Sequence, residues 1–354
     1  MSKNHGSPSL TVRLVVAAVS IVVFLVLAEL ALAIIQPDLY QRNQFFPRNR
    51  DIDFPEVYKR DARLFWRFRP GIITTSRLFS ELDYSINSHG MRGPEPADPK
   101  RGYRIIALGN SCTFGWGVAY EDTWIYQLQT LLHERLPGRE VEVINAGVPG
   151  YSSLQGKRYF SDELLALEPD MVLIMFGFND HYPAGGDRTD SEQELSNAVL
   201  VGAQNLLARL RLYRLLRKVL LSATQDDSPP RLDDIHGVKR VSRSEFFDNL
   251  RELVRTAREH GVQPILLLPP VASREIYLDG AVSNFHRLHE LYQNEMIRAS
   301  QYEQAPLVSL QEAFDKHVGL FDDAVNDPIH FNEAGHLVAA RTIAEVAGPL
   351  IESQ

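Results

Sequence analysis

The sequence predicts an α/β protein: a mostly parallel sheet covered on both faces by helices, preceded by one membrane-spanning helix. Three observations carry that expectation. From Tyr103 onward, short apolar runs alternate with segments whose apolar residues recur at helical spacing, the rhythm of a parallel sheet with crossover helices. The run "PDMVLIMFG" is apolar nearly throughout, as strands covered on both faces are. Finally, Leu14 to Ile35, "LVVAAVSIVVFLVLAELALAII", is interrupted only by Ser20 and Glu29 and can span a hydrocarbon core.

A core helix as long as 14–35 would carry a polar face, and none is visible before Glu29. The segment reads as an uncleaved signal-anchor, with residues 1–13 on the cytoplasmic side and the bulk of the chain on the extracytoplasmic side. Lys3 and Arg13 precede it while Arg42, Arg48 and Arg50 follow, so the charge asymmetry behind this orientation is shallow. The competing reading is a cleaved signal peptide with Ala31-Leu32-Ala33 as its site, although the apolar run continues past it. Residues 36–100 are rich in Arg, Pro and aromatics, with extended pieces such as "RLFWRFRPG" and "LDYSINSHGMRG". They read as strands and loops joining the membrane segment to a main domain over 101–354.

Within that domain "YRIIAL" is a strand and "EDTWIYQLQTLLHERL" a helix. "EVEVINA" is the second strand, "SLQGKRYFSDELLAL" the second helix, and "PDMVLIMFG" the third strand. An insertion at about 181–241 follows, whose centre, "AQNLLARLRLYRLLRKVLL" (203–221), reads as one basic amphipathic helix. It is read as an ordinary helix with solvated arginines, ahead of a lid or a helix lying on anionic lipid. "SATQDDSPPRLDD" then reads as a flexible acidic loop. The alternation resumes with the helix "SEFFDNLRELVRTAREHG", closed by Gly261, and the strand "VQPILLLPP". "NFHRLHELYQNEMIRASQ" is a helix, "APLVSL" a short strand and "NEAGHLVAARTIAEVAGPLI" the closing helix.

Bulk properties narrow the function classes. The 354 residues, 44% hydrophobic and 23% charged, suffice for a sizeable core. A net charge of −8 argues against nucleic acid as the main partner. The single cysteine, Cys112, excludes an intrachain disulfide. No stretch specifies an oligomeric state.

Four polar, glycine-punctuated segments fall where strands deliver their carboxyl ends, the working rim of doubly wound sheets. They are Gly109-Asn110-Ser111, "NAGVPGYSS", "FGFND" and, before the closing helix, "NDPIHFNEAGH". A serine hydroxyl needs a base to take its proton, and the base must be held in one tautomer. Asp327 and His330 stand three apart across a turn containing Pro328, a spacing at which the carboxylate can accept Nδ1–H and leave Nε2 to face Ser111. An oxyanion needs preorganised donors. The Ser111 and Gly150 backbone N–H groups and the Asn179 side-chain amide are the candidates. Singly, each piece has a plain alternative: Ser111 as a helix cap, Gly150 after Pro149 as a turn, Asn179-Asp180 as an Asx turn. Their order at successive strand ends is what points to chemistry.

These blocks resemble the SGNH (GDSL-type) hydrolases, whose four blocks carry serine, glycine, asparagine and histidine in that order. Ser111, Gly150, Asn179 in "GFND", and Asp327 with His330 in "DPIH" match them over about Tyr103 to Leu350. The resemblance implies a three-layer α/β/α, flavodoxin-like fold and acyl-ester chemistry without a metal or other cofactor. It implies a small-molecule or glycan acyl ester as substrate, and Gly150 rather than Gly147 as the block glycine. The chain departs from the pattern at Asn110, where the family has aspartate. The amide keeps one acceptor and drops the charge; with Asp327 orienting the base, activity is expected to survive. The resulting reading is a membrane-anchored serine hydrolase of acyl esters. An O-acyltransferase acting on an extracellular polysaccharide and a non-catalytic envelope-polymer binder are the alternatives. His336 is read as part of the closing helix, His181 as incidental, and Cys112 as a buried neighbour rather than the nucleophile.

Overall fold

The computed structural model describes residues 9–35, 57–71, 73–74, 82, 84–184, 187–193, 197–222, 236–272, 284–325 and 327–353. Lys3, the arginines at 42, 48 and 50, and the acidic loop beyond Ser222 lie outside the described residues. Helix α1 (Leu10–Ile35) is the expected apolar segment, with its side chains largely exposed. It is long and apolar enough to cross a membrane. A hairpin of β1 (Tyr58–Asp61) and β2 (Phe65–Phe68) and a short pair, β3 (Ile73–Thr74) and β4 (Tyr84–Ser85), follow. Tyr58, Trp66 and Phe68 are buried in the main core, so this leading segment is packed on the domain.

The central sheet has five strands: β5 (Tyr103–Gly109), β6 (Val141–Gly147), β7 (Met171–Met175), β8 (Gln263–Leu268) and β9 (Leu307–Ser309). All neighbours pair in parallel, in the order β6-β5-β7-β8-β9. This is a doubly wound, flavodoxin-like order, and it reverses at β5, so a crevice opens beyond the carboxyl end of that strand. Strand alternation divides the core in two. Ile106, Leu108, Ile144, Val172, Ile174 and Leu266 point to one face; Ile105, Ala107, Val143, Leu173, Met175 and Ile265 point to the other. Each face needs a cover, which is why β7 is apolar at every position and the centres of β5 and β8 nearly so.

The residues after β5 form the single turn α2 (Ser111–Phe114), and α3 is Trp124–Arg135. After β6 comes α4 (Ser153–Asp162), begun by Ser152, whose N–H is bonded at 3.0 Å by Gln155 Oε1. The insertion carries α5 (Ala198–Leu207) and α6 (Arg211–Ser222). Then come α7 (Arg243–Glu259), α8 (Asn284–Glu303), the short α9 (Leu310–Phe314) and α10 (Glu333–Glu352). Helices α4, α7 and α8 cover the first face, while α3, α9 and α10 cover the second, completing the three layers.

Two expected helices are broken. The segment 153–167 ends as an α-helix at Asp162 and continues as a 3₁₀ turn over Leu164–Leu167, closed by Glu168 at φ 53°. The segment 203–221 is not one helix: the chain turns at Ala208–Leu210, where Arg209 and Leu210 donate to Leu206 and Leu207. Asn205 is clamped to β1, its amide exchanging two 2.9 Å bonds with the Arg60 backbone. The new helix start is held by Glu29 of α1, which accepts from the N–H groups of Arg211 and Leu212. Amphipathic periodicity continues through such a turn, so the pattern alone reads as unbroken.

Candidate active site

The site grows from the sharp exit of β5. Gly109 has no room for a side chain: a Cβ there would lie 2.1 Å from Thr113 Oγ1 and 2.7 Å from the Met175 carbonyl oxygen. Asn110 then caps α2, its Oδ1 accepting from Cys112 N–H at 3.0 Å. Among the described residues its Nδ2 meets no acceptor, although the side chain is buried. Ser111 is therefore the first residue of a helical turn, where a backbone N–H has no acceptor within the helix. Gly115, at φ 85°, closes the turn by donating to the Ser111 carbonyl at 3.0 Å.

A buried arginine secures the other end of this turn. Arg92 donates to the carbonyls of Phe114 (2.9 Å), Gly115 (2.6 Å) and Val118 (2.7 Å), lying over the rings of Tyr84 and Phe114. Burial lowers its pKa to about 10, so it remains a cation at neutral pH. A positive charge on the last carbonyls of a helical turn complements their dipoles.

The segment 327–331 brings the imidazole to the serine. His330 Nδ1 lies 2.8 Å from both carboxylate oxygens of Asp327, and its Nε2 lies 2.8 Å from Ser111 Oγ. The His330 backbone N–H also donates to Asp327 Oδ1 at 3.3 Å. Burial pushes the Asp327 carboxyl up, but the hydrogen bonds and charge of His330 more than reverse this and hold it below its usual value. A carboxylate so held fixes the proton on Nδ1 and leaves the lone pair of Nε2 toward the hydroxyl. Trp116 stacks on the imidazole, ring centroids 5.6 Å apart. Cys112 is buried and its Sγ donates to the Ile329 carbonyl at 3.3 Å. Burial raises its pKa strongly, so it is a neutral thiol tying the serine turn to the histidine segment.

The glycine block makes a reverse turn, Tyr151 N–H donating to the Val148 carbonyl at 3.1 Å, with Pro149 second and Gly150 third at φ 81°. Proline followed by a positive-φ glycine is the signature of a type II turn. Val148 N–H bonds the Gly109 carbonyl at 3.1 Å and so links this turn to the serine turn. Trp66 Nε1 donates to the Pro149 carbonyl at 3.3 Å, and Arg240 Nη1 to the Gly150 carbonyl at 2.7 Å. Arg240 is itself gripped by the fully buried Asp190 through two bonds, of 3.2 and 2.8 Å, and donates to Gln155 at 2.8 Å. Asn179 donates to the Tyr151 carbonyl at 3.1 Å, which uses one of its two amide hydrogens. Next to it, Asp180 is buried and accepts from Ser153 N–H (2.8 Å) and Gly177 N–H (3.0 Å). Burial raises its pKa to about 6.

Ser111, His330 and Asp327 thus form one hydrogen-bonded chain, and Gly150 and Asn179 are joined through Tyr151. His336 is a core residue whose Nδ1 accepts from Trp124 N–H at 3.1 Å, burial lowering its pKa to about 3. His181 is buried against His289 at 3.3 Å. Sequence reasoning missed Arg92, Arg240, Asp190 and the stacking role of Trp116, and named Asp180 only as part of a turn. Only Trp116 carried a signal, its place within "TFGWG" beside the serine.

A doubly wound α/β fold with a Ser–His–Asp hydrogen-bond chain at its switch point defines a class of protein built like serine hydrolases. The chain belongs to the GDSL-like lipase/acylhydrolase family, whose model matches residues 107–338. Among curated proteins it is similar to the isoamyl acetate-hydrolyzing esterase of Saccharomyces cerevisiae, 24% identical over 110 residues, 29% of this chain and 46% of that protein. It is also similar to the uncharacterized lipoprotein YqeF of Bacillus subtilis, 24% identical over 173 residues, 47% of this chain and 49% of the relative. The chain spans about half the length of the curated relatives it matches. Similar solved structures include Axe2, an acetylxylan esterase from Geobacillus stearothermophilus, at 19% identity, 70% of this chain, 95% of that chain and a TM-score of 0.46. LAE5, an alpha/beta hydrolase enzyme from the metagenome of Lake Arreo, Spain, matches at 21% identity, 71% and 97% coverage and a TM-score of 0.46.

Proposed function

We propose that the protein is a membrane-anchored serine hydrolase that cleaves acyl esters through an acyl-serine intermediate, on a carbohydrate or lipid ester. The observation that carries this reading is the 2.8 Å contact of Ser111 Oγ with His330 Nε2, backed by the carboxylate of Asp327. Ser111 Oγ attacks the ester carbonyl carbon while its proton passes to His330 Nε2. The carbonyl electron pair moves to oxygen, and the Ser111 and Gly150 N–H groups with the second Asn179 amide hydrogen are the donors assigned to that oxyanion. One such donor contributes about 3–4 kcal/mol to lowering the barrier. Collapse expels the alcohol, which takes the proton from His330, and leaves the acyl group on Ser111. Water then attacks, giving a proton to His330, and the acid leaves as the proton returns to Ser111.

Asn110 supports the turn as a neutral cap. The base is oriented by Asp327, so the chemistry needs no anion at position 110. The apolar α1 supports an anchor, and the proposal puts residues 36–354 on the extracytoplasmic side. A fluorophosphonate probe tests the central claim, because it phosphonylates only an activated serine. The parent chain is expected to label at one residue, and labelling is expected to vanish in Ser111→Ala. A folded parent that stays unlabelled, or labels elsewhere, rejects the mechanism.

A further inference from the structure

The proposed chemistry leaves the insertion's two helices, α5 and α6, unused, and they carry an unusual pattern. Between Ala198 and Ser222 there are five basic residues, Arg209, Arg211, Arg214, Arg217 and Lys218, and no acidic one, in a chain of net charge −8. Large apolar side chains stand exposed beside them: Val199, Leu200 and Leu206 on α5, and Leu216, Val219 and Leu220 on α6. On each helix these residues recur at spacings that put them on one side. A solvated face would carry polar residues there.

Helix α6 is attached to α1 at a particular height. Glu29 Oε1 accepts from Arg211 N–H at 2.8 Å and Oε2 from Leu212 N–H at 3.0 Å, with the Arg211 guanidinium 3.8 Å away. An acid from one helix therefore occupies the capping position of another, where N–H groups lack internal acceptors and the dipole favours a negative charge. From Leu14, where the apolar run begins, to Glu29 the axis advances about 22 Å at about 1.5 Å per residue, into the outer third of a ~30 Å hydrocarbon core. Glu29 thus falls toward the outer end of a spanning α1, and α6 begins near that level.

Beside α5 lies a cavity of about 520 Å³ lined by Lys59, Arg69 and Arg209 together with Asn205 and Leu206. Burial, and then the charge of Arg209, lower Arg69 from its usual value. Crowded cations next to an apolar surface suit a phosphate headgroup whose acyl chains continue into a bilayer. The Asn205 clamp on the Arg60 backbone fixes this arrangement to the domain.

We infer that α5, α6 and the adjoining cavity form a membrane-interface platform that takes an anionic phospholipid, joined through Glu29 to the outer part of α1. This rests on the reading of α1 as an anchor. The apolar faces commit the cavity to a lipid headgroup rather than to free phosphate.

The full chain, reconstituted in vesicles, is labelled with an environment-sensitive fluorophore at Val19→Cys or at Leu220→Cys; the buried Cys112 leaves the parent as an unlabelled control. Brominated phosphatidylcholine or brominated phosphatidylglycerol is the quencher. Both positions are expected to be quenched, and position 220 more strongly by the phosphatidylglycerol. Arg209→Gln is expected to reduce that preference by up to about fivefold, the effect of one basic group near a charged surface. Quenching at 19 without quenching at 220 overturns the platform and leaves the anchor standing. No quenching at 19 removes the anchor and the platform with it. A preference that Arg209→Gln does not change, or that inorganic phosphate abolishes, overturns the assignment to a lipid headgroup.

Discussion

Replacing Arg240 with methionine removes the donor to the Gly150 carbonyl and leaves the carboxylate of Asp190 without its guanidinium in a site from which water is excluded. Breaking a buried ion pair from one side costs about 3–5 kcal/mol, because the remaining charge is uncompensated. Arg240→Met alone is therefore expected to be strongly destabilised in urea unfolding. Combining it with Asp190→Asn removes the charge and keeps an acceptor for Ser152 Oγ, which bonds Asp190 at 2.8 Å. The double variant is expected to recover most of the stability. Activity should not recover with it: without Arg240 the Gly150 carbonyl loses its anchor, which loosens the turn carrying the Gly150 N–H proposed as an oxyanion donor, and misplacing one such donor costs about 10²–10³ in kcat. The assay is kcat on a soluble aryl acetate beside the urea midpoint for the parent, both single variants and the double. A double variant with restored stability and kcat within about threefold of the parent, under ~1 kcal/mol of barrier, would refute the positioning argument.

Asp327→Asn preserves shape but favours the wrong imidazole tautomer; kcat is expected to fall by about 10⁴ with fluorophosphonate labelling slowed in parallel. Asp327 itself, held below its usual value, contributes stability that is present above about pH 4 and lost as pH falls through its lower folded-state value. Asp180 behaves oppositely. With a pKa of about 6 when folded, it binds its proton more tightly folded than unfolded, so stability should decline by about 3 kcal/mol as pH rises from roughly 4 to above 6. Subtracting the pH profile of Asp180→Asn isolates that slope, and a flat difference would contradict it. Gly147→Ala would bring a Cβ within 2.3 Å of the Phe114 backbone nitrogen, which cannot swing aside. This variant is expected to lose stability in thermal melts, and unchanged stability would show that α2 can shift.

The strands were legible because burial on both faces leaves an unbroken apolar run, seen most plainly in Met171–Met175. The long helices were legible from their apolar spacing, while the cap of α7, Ser242 with Glu245, lies two residues before the start read at Ser244. The continuous helix expected over 203–221 was misread, because what ends it lies elsewhere: Glu29 is more than 180 residues away from the N–H groups it caps. The candidate residues were marked by position, each in a glycine-punctuated turn after a strand or before the closing helix. Their supports were not. Arg240 stands 90 residues from the Gly150 carbonyl, and Arg92 stands 22 from that of Phe114. Neither position differs in sequence from an ordinary surface arginine.

Sequence by itself therefore determined the alternation of strands and helices, the apolar helix and the chemical identity of the candidate groups. These follow from periodicity and side-chain type, which are local. Tertiary structure alone decided that Ser111 and His330, 219 residues apart, lie 2.8 Å from one another, and that two buried arginines hold the turns on either side. The reason is physical. A hydrogen bond is made or lost within an ångström, and at such separations that distance is set by how the layers pack, which no stretch of chain encodes alone.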